Sequence, residues 1–174
     1  MAEGTDILKV TNKVYLANIA KWQLNKAAFQ GGEEWKAQKL LYEYRSEASN
    51  DYDIRIQQTP LENHCESVIT TYSGFIWRDP PKRNFGKLAN NHNLNRLIVN
   101  ADMDGTPLHE FMKTVQILGG VYGVAWIVMD KPATTAVTKA DEISGDLRPY
   151  VRLFTPEDVI DFEFTAAPNQ TRSA

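Results

Sequence analysis

The chain has 174 residues, 43% of them hydrophobic and 24% charged, with a net charge of −3. That balance suits one globular unit with a core of reasonable size, and it argues against a protein that grips nucleic acid over its whole surface, which needs clustered Lys and Arg. Cys65 is the single cysteine, which excludes an internal disulfide and a cysteine-based zinc site, and no apolar run is long enough to span a bilayer.

Met1 to Asp6 is acidic and polar, unlike a signal peptide, and reads as disordered. From Ile7 to Phe29 the pattern is helical, carried by Ile7, Val10, Val14, Ala17, Trp22 and Phe29. Gly31-Gly32 breaks it. Glu33-Glu34 then favour the positive end of a second helix through Trp35, Leu40, Leu41 and Tyr44. Ser46 to Asn50 is a polar break, and Asp51 to Ile56 reads equally as a turn of helix or as extended chain. Thr59-Pro60-Leu61-Glu62 predicts a helix start: Thr caps, Pro takes the first position and Glu reaches back to the cap. Leu61, Cys65, Val68, Ile69 and Tyr72 follow on one face, and Gly74 ends the helix. Phe75-Ile76-Trp77 is a short apolar run stopped by Pro80-Pro81. Lys82 to Asn93 is a polar, Asn-rich loop, and Asn95 to Ala101 predicts a short helix.

The chain is organised around Asp102 to Asp130. Asp102-Met103-Asp104-Gly105 is turn chemistry, and Thr106-Pro107 starts a helix whose apolar face is Leu108, Phe111, Met112, Val115 and Leu118. Gly119-Gly120 is expected to end it. Val121 to Met129, nearly all apolar, then predicts a strand buried on both faces. Ala133 to Asp146 reads as a surface loop with a turn of helix at Lys139 to Ile143. Arg148 to Phe154 predicts a second strand, antiparallel to the first, and Thr155-Pro156 a further helix start. Ala166 to Ala174 has no pattern and reads as a frayed or truncated end. The expected class is α+β and mainly helical: amphipathic helices over residues 7–165, packed with a small antiparallel sheet whose strands lie near 121–130 and 148–154.

Few residues carry chemistry by pattern alone. Asp102, Asp104 and Asp130 read either as a turn and a strand end or as a metal-carboxylate set for phosphoryl transfer. Cys65 lies on an apolar stripe and reads as a buried structural thiol, because its neighbour His64 points elsewhere on a helix. His109 and His92 have no partner at metal-ligand spacing. Gly119, Gly120 and Gly123 do not make a phosphate-cradling loop, and no cofactor is implied. Lys82, Arg83 and Lys87, beside Trp77 and Phe85, read either as a solvated loop or as a contact for a nucleic-acid backbone or a partner. The Trp and Tyr side chains read as core or subunit interface, with Trp22 and Trp77 as the interface candidates.

The order of these pieces resembles the N-terminal wing region of tailed-bacteriophage portal proteins. The resemblance is carried by Tyr52 and Arg55 leading into Thr59-Pro60-Leu61-Glu62-Asn63; by Gly74-Phe75-Ile76-Trp77-Arg78-Asp79-Pro80-Pro81; by Asp102-Met103-Asp104-Gly105 with Leu108 and Phe111; by Gly119-Gly120 and the apolar run into Asp130-Lys131-Pro132; and by Arg148-Pro149-Tyr150 with Pro156-Glu157-Asp158-Val159-Ile160. It covers about Phe29 to Phe162. It implies a non-enzymatic structural subunit of a homo-oligomeric ring, typically of twelve copies, at the portal vertex of a virion assembled in a bacterial cytoplasm. Double-stranded DNA passes through the channel of such a ring. Its other implied partners are the major capsid protein, the terminase large subunit, which hydrolyses the ATP, and a head-tail adaptor protein; no membrane is involved. The resemblance places stem and clip segments beyond Ala174 and carries over no channel-facing residue.

Overall fold

The structure, a computed structural model, describes residues 12–60, 62–132 and 138–162. The expected ends, 1–6 and 166–174, lie outside the described residues, as do Ile7, Val10 and Leu61. The class is as expected: mainly helical, with one two-stranded antiparallel sheet.

Helix α1 spans Lys13–Gln30, capped by the Asn12 side chain, which accepts from the Val14 N–H at 2.8 Å. Its inward face is Tyr15, Ile19, Trp22 and Phe29, whereas Val14 and Ala17 of the expected face are exposed. It stops at Gly31, whose φ of +65° suits glycine. Helix α2, Gly32–Ala37, is shorter than expected and excludes Leu40, Leu41 and Tyr44. Lys39 turns left-handed at φ 48°. The next carbonyls serve side chains of α3, Ser49–Gln58, in place of helical N–H groups: the Tyr52 hydroxyl donates to Leu41 O at 2.8 Å, and Arg55 donates to Tyr42 O at 2.7 Å.

Helix α4 spans His64–Ile76 and does not start at Thr59-Pro60. Because α3 continues to Gln58, the Thr59 hydroxyl donates back to Arg55 O at 2.7 Å, the competing use such side chains offer. Asn63 caps α4 instead, accepting from the Glu66 N–H at 3.1 Å. Gly74 lies inside the helix. After a 3₁₀ turn at Gly86–Leu88, α5 covers His92–Val99, earlier than expected, capped by Asn91.

Helix α6, Leu108–Tyr122, runs through Gly119-Gly120 and ends at Gly123, which takes the left-handed conformation at φ 81°. Gly120 faces Ile69 of α4, where a Cβ would stand 3.6 Å from its side chain, and a Cβ at Gly119 would meet open space. Val121 and Tyr122, expected in a strand, are the last helical residues and join Trp22 in one core cluster with Ile69 and Leu118. The other half of α6 packs Phe111 against Ala101 and Val151, flanked by Leu97, Met112 and Leu153. α6 thus has one half on α1 and α4 and the other on α5 and the sheet.

Strand β1 is Trp126–Asp130 and β2 is Tyr150–Phe154, paired antiparallel with Trp126 opposite Phe154 and Asp130 opposite Tyr150. The opposite edge of β2 is anchored where the Val151 N–H donates to Ala101 O at 2.9 Å. β1 is not buried on both faces: Ile127, Val128 and Met129 are exposed in the chain. Between the strands α7, Lys139–Ser144, forms as expected, with a reciprocal Thr138–Asp141 capping box. Thr155-Pro156 starts no helix. Asp158 Oδ2 closes a turn on the Thr155 N–H at 2.9 Å, and Asn12 donates to the carbonyls of Ile160 and Phe162 at 3.1 and 2.7 Å. Lys26 of α1 meets Glu157 at 3.0 Å beside that turn.

Candidate functional site

The three aspartates do not form one site. Asp102 Oδ1 accepts the N–H groups of Asp104 at 2.9 Å and Thr106 at 3.1 Å, pinning a loop in which Met103 and Gly105 both have positive φ. Burial pushes its carboxyl up, but hydrogen bonds from the Thr106 hydroxyl and from these amides outweigh that and leave it below the usual range. The carboxylate is therefore engaged in holding the turn that leads into α6. Asp104 shares a cleft of about 300 Å³ with it, walled by Phe111, Thr114, Arg152 and Phe154. Asp130 lies outside that cleft, at the other end of the ribbon, where Oδ2 accepts from the Tyr150 hydroxyl at 3.1 Å. Among the described residues no group of three or more His, Cys, Asp or Glu side chains is placed to hold a metal ion.

Cys65 is exposed, so it is not the core thiol its stripe suggested. His64 is exposed too, 3.4 Å from an exposed Glu62. His109 packs edge-on against Trp77 with ring centroids 5.1 Å apart, and its buried Nδ1 has no hydrogen-bond partner among the described residues. The Trp77 indole N–H donates to Gln116 Oε1, so Trp77 belongs to the seam between α4 and α6. Trp22 is 8% exposed in the first core cluster and has almost no surface to offer a second subunit.

The apolar surface the chain leaves uncovered lies elsewhere. Ile69 and Ser73 of α4 and Trp77, the residue that caps its end, recur every four residues on the side turned to α6. Val68, Tyr72, Phe75 and Ile76 occupy the adjoining sector and point outward, with Tyr72 69% and Phe75 72% exposed. On β1, Ile127 and Met129 are exposed on one face and Val128 on the other. The signal for the α4 surface was present in the sequence: apolar residues there span a wider arc than one buried face uses. Lys82, Arg83 and Lys87 are exposed and make no ion pair among the described residues; Lys87 stands in the 3₁₀ turn before α5. Arg55, which the sequence reading named only within a motif, is held by both oxygens of Glu47 at 2.8 and 2.6 Å and lies over the Tyr44 ring.

No protein-family model and no curated protein sequence matches the chain. None of the described helices is long and apolar enough to cross a membrane.

Proposed function

We propose that the chain is the wing-like region of a phage portal subunit, a structural element of a ring through which double-stranded DNA enters and leaves a virion. The observation that carries this reading is the outward apolar face of α4. Val68, Tyr72, Phe75 and Ile76 form a contiguous stripe of the kind that marks a protein contact. Burying four such side chains stabilises association by roughly 6–12 kcal/mol in total, at about 1.5–3 each. Association itself costs about 4–15 kcal/mol, so the stripe fits the centre of an interface and needs additional surface around it. A ring closes through two different patches on each copy, and Ile127 with Met129, which share one face of β1, are a second exposed apolar pair. The α+β architecture and the order of sequence motifs support the same reading. The proposed partners are further copies, capsid protein, terminase and a head-tail adaptor.

Single-particle electron microscopy of the full natural gene product, with symmetry left free, tests the proposal. The expected result is a closed ring with a central channel; a monomer or a compact dimer refutes it. Tyr72→Asp with Phe75→Asp is expected to lower the assembled mass while helix content and melting stay unchanged.

A further inference from the structure

The chain is acidic overall, yet its charge is unevenly placed. Residues 80–101 contain Lys82, Arg83, Lys87 and Arg96 and no Asp or Glu; all 22 acidic side chains lie outside this segment. The segment includes α5, and that helix, with Asn100 just after it, walls a cleft of about 460 Å³ through His92, Asn95, Arg96 and Val99. Asp146 and Arg148, from the chain leading into β2, complete the wall.

Asp146 is shared between two arginines. Its Oδ1 accepts from Arg148 Nε at 3.1 Å, and its Oδ2 lies 3.3 Å from Arg96 Nη2. One carboxylate between two guanidiniums leaves a full positive charge, because arginine keeps its proton at any ordinary pH. The Arg148 side chain is only 3% exposed. Among the described residues it donates, besides the bond to Asp146, only a long 3.4 Å contact to Pro149 O, and it lines the cleft. The Asn100 carbonyl oxygen is engaged by the Gly105 N–H at 3.1 Å, which leaves its amide N–H groups as the face to present. The cleft therefore offers a net cation and several donors, with one acid already neutralised.

We propose that this cleft binds a phosphate group, with the two arginines as its charged partners and Asn95, Asn100 and His92 as further polar contacts. Planar guanidinium donors match phosphate oxygens in pairs. The site is independent of the ring reading: it stands on a single copy of the chain.

The test is isothermal titration of the full chain with inorganic phosphate at low ionic strength, using chloride as the ionic-strength control. Phosphate is expected to bind, Arg96→Gln to weaken binding about tenfold, and Asp146→Asn to tighten it by removing the competing carboxylate. Arg96 is partly exposed and outside the core, and Asn tolerates the left-handed backbone of Asp146 at φ 51°, so both variants suit a folded chain. Absence of phosphate binding, or equal affinity in the native chain and Arg96→Gln, overturns the proposal. A DNA duplex lacking terminal phosphates separates the two sources of the group. Displacement of bound duplex by phosphate assigns the cleft to a nucleic-acid backbone; phosphate binding without duplex binding assigns it to a phosphate-bearing small molecule.

Discussion

Asn63 is the side chain whose loss should be felt furthest from its own position. Its Oδ1 accepts from the Glu66 N–H at 3.1 Å and caps α4, while its Nδ2 donates to Phe29 O at 2.7 Å at the end of α1. One amide thus satisfies an orphan donor of one helix and an orphan acceptor of another. Asn63→Ala removes both. The cap is worth about 1 kcal/mol and the second hydrogen bond about 1 kcal/mol more, so the variant should lose roughly 2 kcal/mol. For a chain of this length that corresponds to a fall in Tm of about 4–8 °C. Gly31 reports on the same contact: a Cβ there would stand 3.0 Å from Asn63 Nδ2 on a backbone of φ +65°, so Gly31→Ala should also destabilise. Urea unfolding followed by circular dichroism measures both. An Asn63→Ala variant within about 0.5 kcal/mol of the native chain would show that neither bond holds the two helices together.

Thr59→Ala should cost less than about 1 kcal/mol, since its hydroxyl bonds back to Arg55 O and caps no helix start; a larger loss in the same urea assay would restore Thr59 as the α4 cap. Trp22→Ala should cost about 3–5 kcal/mol by opening the cluster with Val121 and Tyr122, and a melting curve unchanged from native would place Trp22 at the surface. Hydrogen bonds from Arg55 hold the Glu47 carboxyl below its usual range, against the opposing effect of burial. A depressed carboxyl contributes stability above its unfolded value of about 4.3, and that contribution disappears as pH falls through the folded value. The native chain should therefore melt above Glu47→Gln at neutral pH, and the gap should close on acidification; a gap independent of pH refutes the pairing.

Local chemistry in the sequence reached some elements and misled on others for identifiable reasons. The short helix near Lys139 to Ile143, the antiparallel partners on either side of it and the polar break before α3 were legible because each depends on residues close in the chain. Thr59-Pro60-Leu61-Glu62 had the right residues for a helix start, but the preceding helix claimed the threonine hydroxyl first. Gly119-Gly120 looked like a stop, but both keep helical backbone and the left-handed turn that ends the helix is made by Gly123 instead. Val121 and Tyr122 have no period that separates strand from helix, so tertiary packing on Trp22 decided them. Among the candidate site residues, the sequence brought Asp102 and Asp104 together by adjacency, but the placement of Asp130 is set by strand register. The cleft between α5 and Arg148 was not legible at all, because its walls are some fifty residues apart; only the absence of acids from 80–101 hinted at it.

The bonds from Asn12 to Ile160 and Phe162 bring the first and last described stretches of backbone to one corner of the molecule. A polypeptide that enters and leaves at the same corner behaves as a module on a single hinge: it can be carried by a larger protein without threading through it. The same adjacency makes the fold a candidate for circular permutation, with a short linker from about residue 162 back to residue 12 and new termini opened in the exposed 82–91 stretch. Force or motion arriving from either flank would be delivered to the start of α1 and the turn at Glu157 together, and from there through α1 to α6.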